Sequence, residues 1–316
     1  MSRAGHTVRR RLDAALLLDK PVGLSSNAAL QAAKRLFGAA KAGHAGTLDP
    51  LASGLLLVLF GDATKFAGLL LDADKVYLAL LRLGATTTTG DAEGEVTGRR
   101  PVAVSETQIE AALARFRGEI SQLPPMYSAL KFEGRPLYAL AREGKSVERR
   151  PRQVVIHELE LASLRGDLLD LRVRCSKGTY VRTLAEDIGA ALGTGAHLAA
   201  LRRTAVGALF LRDATSLEAL EAMSEAERER KLLPLDAMLH DLPRLDCAAG
   251  QEARFRNGQA IQIGAASPGQ CAVYGPAGLI GVGLADAAGT VRPVRLTAPQ
   301  QPGEAQPAEI HKKTCE

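Results

Sequence analysis

The segment Gly43–Leu56, GHAGTLDPLASGLL, gathers the side chains best placed for chemistry, an acidic residue (Asp49) and a histidine (His44) in a loop opened by Gly43 and Gly46. Two readings of Asp49 stand side by side. In one the loop enters a helix with Asp49 as N-cap and Pro50 at the first helical position, ahead of an apolar run from Leu55 to Phe60. In the other, the glycines let a backbone or a ligand come close to the carboxylate. Other chemistries are excluded. No G-x-x-x-x-G-K-[ST] is present, His157-Glu158 lacks the second histidine of a metalloprotease helix, and Gly281-Val282-Gly283 lacks the third glycine of a dinucleotide site. No serine sits between glycines as in a hydrolase elbow. Cys175, Cys247, Cys271 and Cys315 form no C-x-x-C pair and have no histidine at zinc spacing, so free thiols in a reducing cytoplasm are expected.

The elements that must position these residues follow from periodicity. Leu16–Leu18 reads as a buried strand, too short and too soon interrupted by Asp19, Lys20 and Pro21 for a signal peptide. Ser25 and Ser26 offer an N-cap to a helix with Leu30, Ala33 and Phe37 on one face, closed by Gly38. Val76–Leu83 alternates as a strand with Tyr77, Ala79, Leu81 and Leu83 together, and Thr86–Gly94 reads as a polar loop. Ser105 and Gln108 make a capping box for a helix carrying Ile109, Ala112, Leu113 and Phe116. Leu169–Cys175 is a strand, Thr183–Leu192 a helix, and a charged helix is expected around Ser216–Lys231. Beyond Pro243, Asn257-Gly258, Pro268-Gly269 and Gly275-Pro276 punctuate short strands, as in a small β-rich domain.

The 316 residues, 46% hydrophobic and 24% charged, suit one large and one small globular domain. Lys+Arg 40 against Asp+Glu 35 leaves a net charge of +5, a mild bias compatible with a polyanion. No apolar stretch approaches the ~20 residues of a membrane span.

Seven ordered blocks carry a resemblance: LLLDKPVGLSSN (Leu16–Asn27), AGHAGTLDPLASGLL (Ala42–Leu56), ATKF (Ala63–Phe66), YLALLRLG (Tyr77–Gly84), LPPMYSALK (Leu123–Lys131), CSKGTYVRTLAEDIG (Cys175–Gly189) and GAHLAALRRTAVG (Gly195–Gly207). Over Leu17 to about Leu296 the chain resembles the TruB family of tRNA pseudouridine-55 synthases. The resemblance implies an α+β fold: a mixed-sheet catalytic domain over 12–240 with an RNA-clasping insertion at about 123–152, a small β-barrel-like PUA-type domain over 241–298, and a flexible tail over 299–316. FRNGQAI (Phe255–Ile261) and LIGVGLAD (Leu279–Asp286) carry the PUA likeness.

It also implies that Asp49 is the nucleophile, that Arg182 pairs with it, and that His44, Tyr77, Tyr180 and Leu201 line the pocket of the target uridine. Tyr77 is further expected to handle a proton. Taken alone, Arg182 reads as a surface arginine, Tyr77 as a core tyrosine, His44 as incidental and Leu201 as core. Thr88 stands where some relatives have an aspartate. The implied substrate is the T-arm of tRNA, with no metal, nucleotide or redox cofactor, acted on by a cytoplasmic monomer. Lys131, Arg135, Arg149, Arg150, Arg152, Arg202 and Arg203 are expected to form a phosphate track. The chemistry suits one carboxylate: aspartate, with a reference pKa of about 3.9, is ionised at neutral pH and needs no neighbouring base.

Overall fold

The computed structural model describes residues 9–128, 130–145, 147–264 and 267–299. In chain order the elements begin β1 (Ala15–Lys20), α1 (Ser26–Leu36), β2 (Ala42–Ala45), β3 (Ala52–Phe60), α2 (Ala67–Asp72), β4 (Lys75–Leu83), β5 (Ala85–Thr87), β6 (Val96–Arg99), α3 (Glu106–Ala114) and β7 (Gly118–Gln122). They continue with β8 (Lys131–Phe132), β9 (Arg135–Pro136), α4 (Leu137–Arg142), β10 (Arg152–Arg165), β11 (Leu168–Cys175), α5 (Val181–Ala191), β12 (Ala196–Val206), β13 (Leu209–Phe210), β14 (Thr215–Ser216), α6 (Leu217–Ala222), α7 (Glu225–Glu229) and β15 (Leu232–Leu233). Last come β16 (Arg244–Asp246), α8 (Ala249–Arg256), β17 (Ile261–Gln262), β18 (Gly269–Gly275), β19 (Gly278–Ala285) and β20 (Thr290–Leu296).

The fold is α+β. One mixed sheet runs β14-β1-β3-β12-β4-β11-β10-β7, with β2 also on β3, and a second runs β16-β18-β19-β20-β17. Strand β3 is the axis of the first sheet. Leu55, Leu57 and Leu59 face one core cluster, shared with Phe66 and with Ala272, Leu279 and Val282 of the second sheet. Leu56, Val58 and Phe60 face another, under α1. An unbroken apolar run is what a strand buried on both faces requires. This corrects the helix-cap reading of Asp49: Asp49 and Pro50 lead into strand β3, and Asp49 caps no helix.

On the far side of the sheet's centre, Ala79, Leu81 and Leu83 of β4 pack with Leu171 and Val173 of β11 against Leu184 and Ile188 of α5. The Ser105 capping box forms as read, with Gln108 Oε1 accepting from the Ser105 N–H at 2.8 Å. Two elements depart from the reading. The charged helix around Ser216–Lys231 is two short helices, because Met223 is extended and Ser224 starts α7 with its own capping box to Glu227. The 14-residue strand β10 escaped notice because bulges between Ile156 and Glu158 and between Leu161 and Ser163 break its alternation. The tail beyond Pro299 lies outside the described residues. No described helix is long and apolar enough to cross a membrane.

Candidate active site

Asp49 sits on the short loop between β2 and β3, and its backbone is held from several sides. Ser26, buried at the start of α1, accepts from the Leu48 N–H at 2.7 Å and donates to the Leu48 carbonyl at 2.9 Å. The Gly23 N–H donates to the Pro50 carbonyl at 2.8 Å, and the Ala52 N–H to the Asp49 carbonyl at 3.0 Å. Leu48 is buried beside it. The peptide on either side is thus fixed, and the carboxylate lies in a recess with 43% of its side chain open to solvent.

Arg182, the second residue of α5, is 6% exposed and faces that carboxylate, so it is not the surface arginine its type alone suggests. Its Nη2 lies 3.0 Å from Asp49 Oδ2 and donates to the Tyr127 carbonyl at 2.6 Å. Its Nη1 donates to the Thr89 carbonyl at 3.2 Å and is 3.6 Å from Asp91 Oδ2. Asp91 is 2% exposed, and its Oδ1 accepts from the Thr89 hydroxyl at 2.6 Å and from the Glu93 N–H at 3.1 Å. The guanidinium is therefore fixed on every side before it meets Asp49, which makes the pair a preorganised charge-assisted contact.

Burial raises the Asp49 pKa above the ordinary aspartate value; Arg182 and Lys20 oppose this and Asp91 adds to it. Glu93, at the rim, is also raised, by burial and then by the charges of Asp91 and Asp49. Lys20 is fully buried at the end of β1, where its Nζ donates to the carbonyls of Pro21 at 2.8 Å and Leu24 at 2.6 Å. Burial brings it down to about 8, with Asp49 the largest opposing influence.

Tyr77 and Leu201 share the face of the sheet that looks onto this recess: Arg203 lies directly opposite Tyr77 across β4 and β12, and Leu201 lies opposite Ala79 and Ala52. Both pack, half-buried, on the core under α5. Burial raises the Tyr77 phenol pKa while the charge of the neighbouring Arg203 guanidinium pulls the other way. Tyr180 is the N-cap residue of α5, held by Gln122 of β7, whose Oε1 accepts from the Tyr180 N–H at 3.0 Å and whose Nε2 donates to its carbonyl at 3.3 Å. Burial raises its phenol too, and both phenols feel the Asp49 charge.

His44, on β2 opposite Val58, is set apart from this group. Burial, then Arg203, lowers its pKa, and its buried Nδ1 has no hydrogen-bond partner among the described residues. Asp49, Arg182, Tyr77, Tyr180 and Leu201 are brought together as a group, and His44 adjoins them through Arg203.

Asp91, Lys20, Ser26 and Arg203 did not emerge from the sequence as parts of the site. Asp91 had a signal, an acid following a threonine run and a glycine, three residues after the Thr88 position. The phosphate-track reading needs a correction at Arg203, which is 1% exposed and donates to the carbonyls of Leu55 at 2.7 Å and Gly46 at 2.8 Å, so it meets no solvent-borne phosphate.

Residues 34–181 match the TruB family pseudouridylate synthase N-terminal domain, 182–242 the tRNA pseudouridylate synthase B C-terminal domain, and 243–297 the pseudouridine synthase II TruB C-terminal domain. The chain is 54% identical to the tRNA pseudouridine synthase B of Dechloromonas aromatica over 91% of its length and 96% of that protein. It is 55% identical to the one from Burkholderia mallei over 91% of this chain and 98% of that protein. Among solved structures it resembles Cbf5 in the archaeal box H/ACA Nop10–Cbf5 complex, with a TM-score of 0.69 and 25% identity, covering 93% of this chain and 88% of that one. With relatives this close along almost the whole length, and family domains that run unbroken from residue 34 to residue 297, the chain belongs to the TruB family of tRNA pseudouridine synthases.

Proposed function

We infer that this chain isomerises the T-loop uridine at position 55 of tRNA to pseudouridine, with Asp49 as nucleophile. The observation that carries the reading is an aspartate on a fixed backbone, paired at 3.0 Å with a buried arginine and still open to solvent over 43% of its side chain. What sets this pair apart is the arginine, 7% exposed at its side chain and held by two carbonyls and a second aspartate, beneath a carboxylate that a ligand can still reach.

The bond from ribose C1′ to N1 of uracil breaks, and its electron pair leaves with the base. Positive charge grows at the sugar, as in glycoside cleavage, where a carboxylate stabilises or traps it. The base turns and C5 joins C1′, a proton leaves C5, and a proton is gained at N1, so the product is an isomer of the substrate. Arg182 keeps the carboxylate ionised and aimed. Tyr77 stacks on the uracil and handles the C5 proton, Tyr180 and Leu201 wall the pocket, and His44 contacts the flipped nucleotide. Extruding the base costs a few kcal/mol, and stacking on an aromatic ring returns about 1–3 kcal/mol. The T-arm lies along the exposed basic residues of the segment 123–152, and the second sheet supports the RNA further out.

The test is a T-arm hairpin transcribed without modifications, incubated with the purified chain and labelled chemically for pseudouridine. The expected product is a single pseudouridine at position 55. Labelling at another position would reassign the substrate, and no labelling would remove the catalytic reading in favour of an RNA-binding protein on this scaffold.

A further inference from the structure

Arg202 and Arg203 are neighbours in the chain and opposites in the fold. Arg202 lies on the outer face of the sheet, where its Nη2 meets Asp19 at 2.7 Å. Arg203 points the other way and is the bulkiest of the fully buried side chains. Arg182, the other arginine of the site, meets two carboxylates; no ion pair involves Arg203 among the described residues. Taking a guanidinium out of water without a counter-charge costs several kcal/mol, and such a group persists where its donors are met and its charge is used.

It donates to two separate elements and lies beside a third. Nε donates to the Leu55 carbonyl of β3 at 2.7 Å, Nη2 donates to the Gly46 carbonyl on the loop that leads to Asp49 at 2.8 Å, and Tyr77 of β4 is its direct neighbour across the β4–β12 pair, on the same face of the sheet. Two glycines make room for this. A methyl group on Gly46 would stand 3.0 Å from Arg203 Nη1, and one on Gly54 would stand 2.3 Å from the Arg203 carbonyl. Both have positive φ, +75° and +97°, so the backbone conformation as well as the space favours glycine.

We propose that Arg203 is a positioning residue for the reaction: a single buried cation, bonded to the Gly46 end of the Asp49 loop and set against Tyr77 across the strand pair, that keeps stacking surface and nucleophile in one fixed relation. The assignment rests on the role given to Tyr77 above. Burial raises the Tyr77 phenol pKa, and the adjacent positive charge of Arg203 opposes this by favouring the ionised oxygen. With no carboxylate partner that charge is felt widely, since it also pushes down the pKa values of His44, Lys20 and Lys75. Lysine at this position would keep the charge on one nitrogen and could not reproduce the planar fork of donors.

The experiment compares the full-length chain with Arg203→Lys, Tyr77→Phe and the double variant in single-turnover pseudouridine formation and in tRNA binding. Arg203→Lys is expected to slow the single-turnover step at least ~10-fold, the scale of a misplaced reacting group, with RNA affinity changed less than about twofold. In the Tyr77→Phe background the same substitution should cost less than about a further twofold, because residues that act as a unit are not additive. An unchanged rate for Arg203→Lys, or losses that multiply in the double variant, would overturn the role of Arg203 and leave that of Tyr77 standing. A full rate for Tyr77→Phe would overturn both. A readout that keeps Arg203 intact covers the case in which its variant does not fold. In 15N-arginine spectra of the wild type, one protected Arg203 guanidinium signal should shift and exchange faster in Tyr77→Phe, and an unmoved signal would contradict the proposal.

Discussion

Asp49 and Arg182 show how a site residue differs from a structural ion pair. Arg182 has two carbonyls and Asp91 as well as Asp49, so its own burial is compensated even without Asp49. Asp49 has the single charged contact and a raised pKa. If Asp49 is the proposed nucleophile, only its ionised form can act, so activity should fall as pH drops through a value above the ordinary aspartate range of about 3.9. A pH profile of single-turnover rate on folded enzyme checks this, and a rate still level at pH values near that of a free aspartate would contradict it. Linkage gives the sign for stability. A raised folded pKa means a contribution present below the unfolded value and lost as pH rises through the folded one, so at neutral pH the ionised Asp49 is a net cost to the fold. The sequence alone showed Asp49 in a suggestive loop. It did not show Asp91 beneath Arg182, because that contact joins residues far apart in the chain and depends on where α5 begins.

At the scale of elements, the strands and helices with clean periodicity were legible: β1, β4, β11, α1, α3 and α5 are all near where the apolar spacing puts them. The failures have physical causes. The apolar run of β3 carries no alternation because both of its faces are buried, so its period could not tell strand from helix. The bulges of β10 hide its period of two. The Asp49 loop is held partly from outside itself, and Ser26 at the start of α1 is the clearest example. Ser26→Ala would strip both Leu48 backbone groups of their partner in a buried place, at a cost of about 1–3 kcal/mol. Thermal melts should show that loss, and turnover should fall about tenfold, since a loop loosened next to Asp49 no longer holds the reacting geometry. Melts and turnover both unchanged would show that Ser26 does not hold the loop.

For the molecule as a whole, β3 couples the two sheets to the site. Its Leu55, Leu57 and Leu59 share a core with Ala272, Leu279 and Val282 of the second sheet, and the loop just before its N-terminal end carries Asp49. Hydrogen bonds join the sheets as well: the Ala298 N–H donates to Asp62 at 2.5 Å and Lys65 to the Leu296 carbonyl at 3.0 Å. The basic residues divide into those already committed and those still available. Arg135 pairs with Glu143, Arg149 donates to the Pro124 carbonyl, Arg202 pairs with Asp19 and Arg203 is buried. Lys131, Arg150 and Arg152 are exposed and enter no ion pair among the described residues. If these meet the RNA backbone, log affinity should fall linearly with log salt, and Arg150→Ala should make the slope shallower by about 0.7–0.9, the contribution of one phosphate contact. A slope that the substitution leaves unaltered would remove Arg150 from the interface.

The most direct test of the account is Asp49→Asn. The amide keeps the shape, removes an ionised group whose burial is unfavourable at neutral pH, and leaves Arg182 with Asp91 and its two carbonyls. The variant should therefore melt no lower than the wild type and bind the T-arm hairpin with affinity within about twofold, since the phosphate contacts are untouched. It should yield no pseudouridine even at enzyme in excess over RNA and long incubation. Pseudouridine formed by Asp49→Asn at a rate comparable to the wild type would contradict the claim that this carboxylate is the nucleophile.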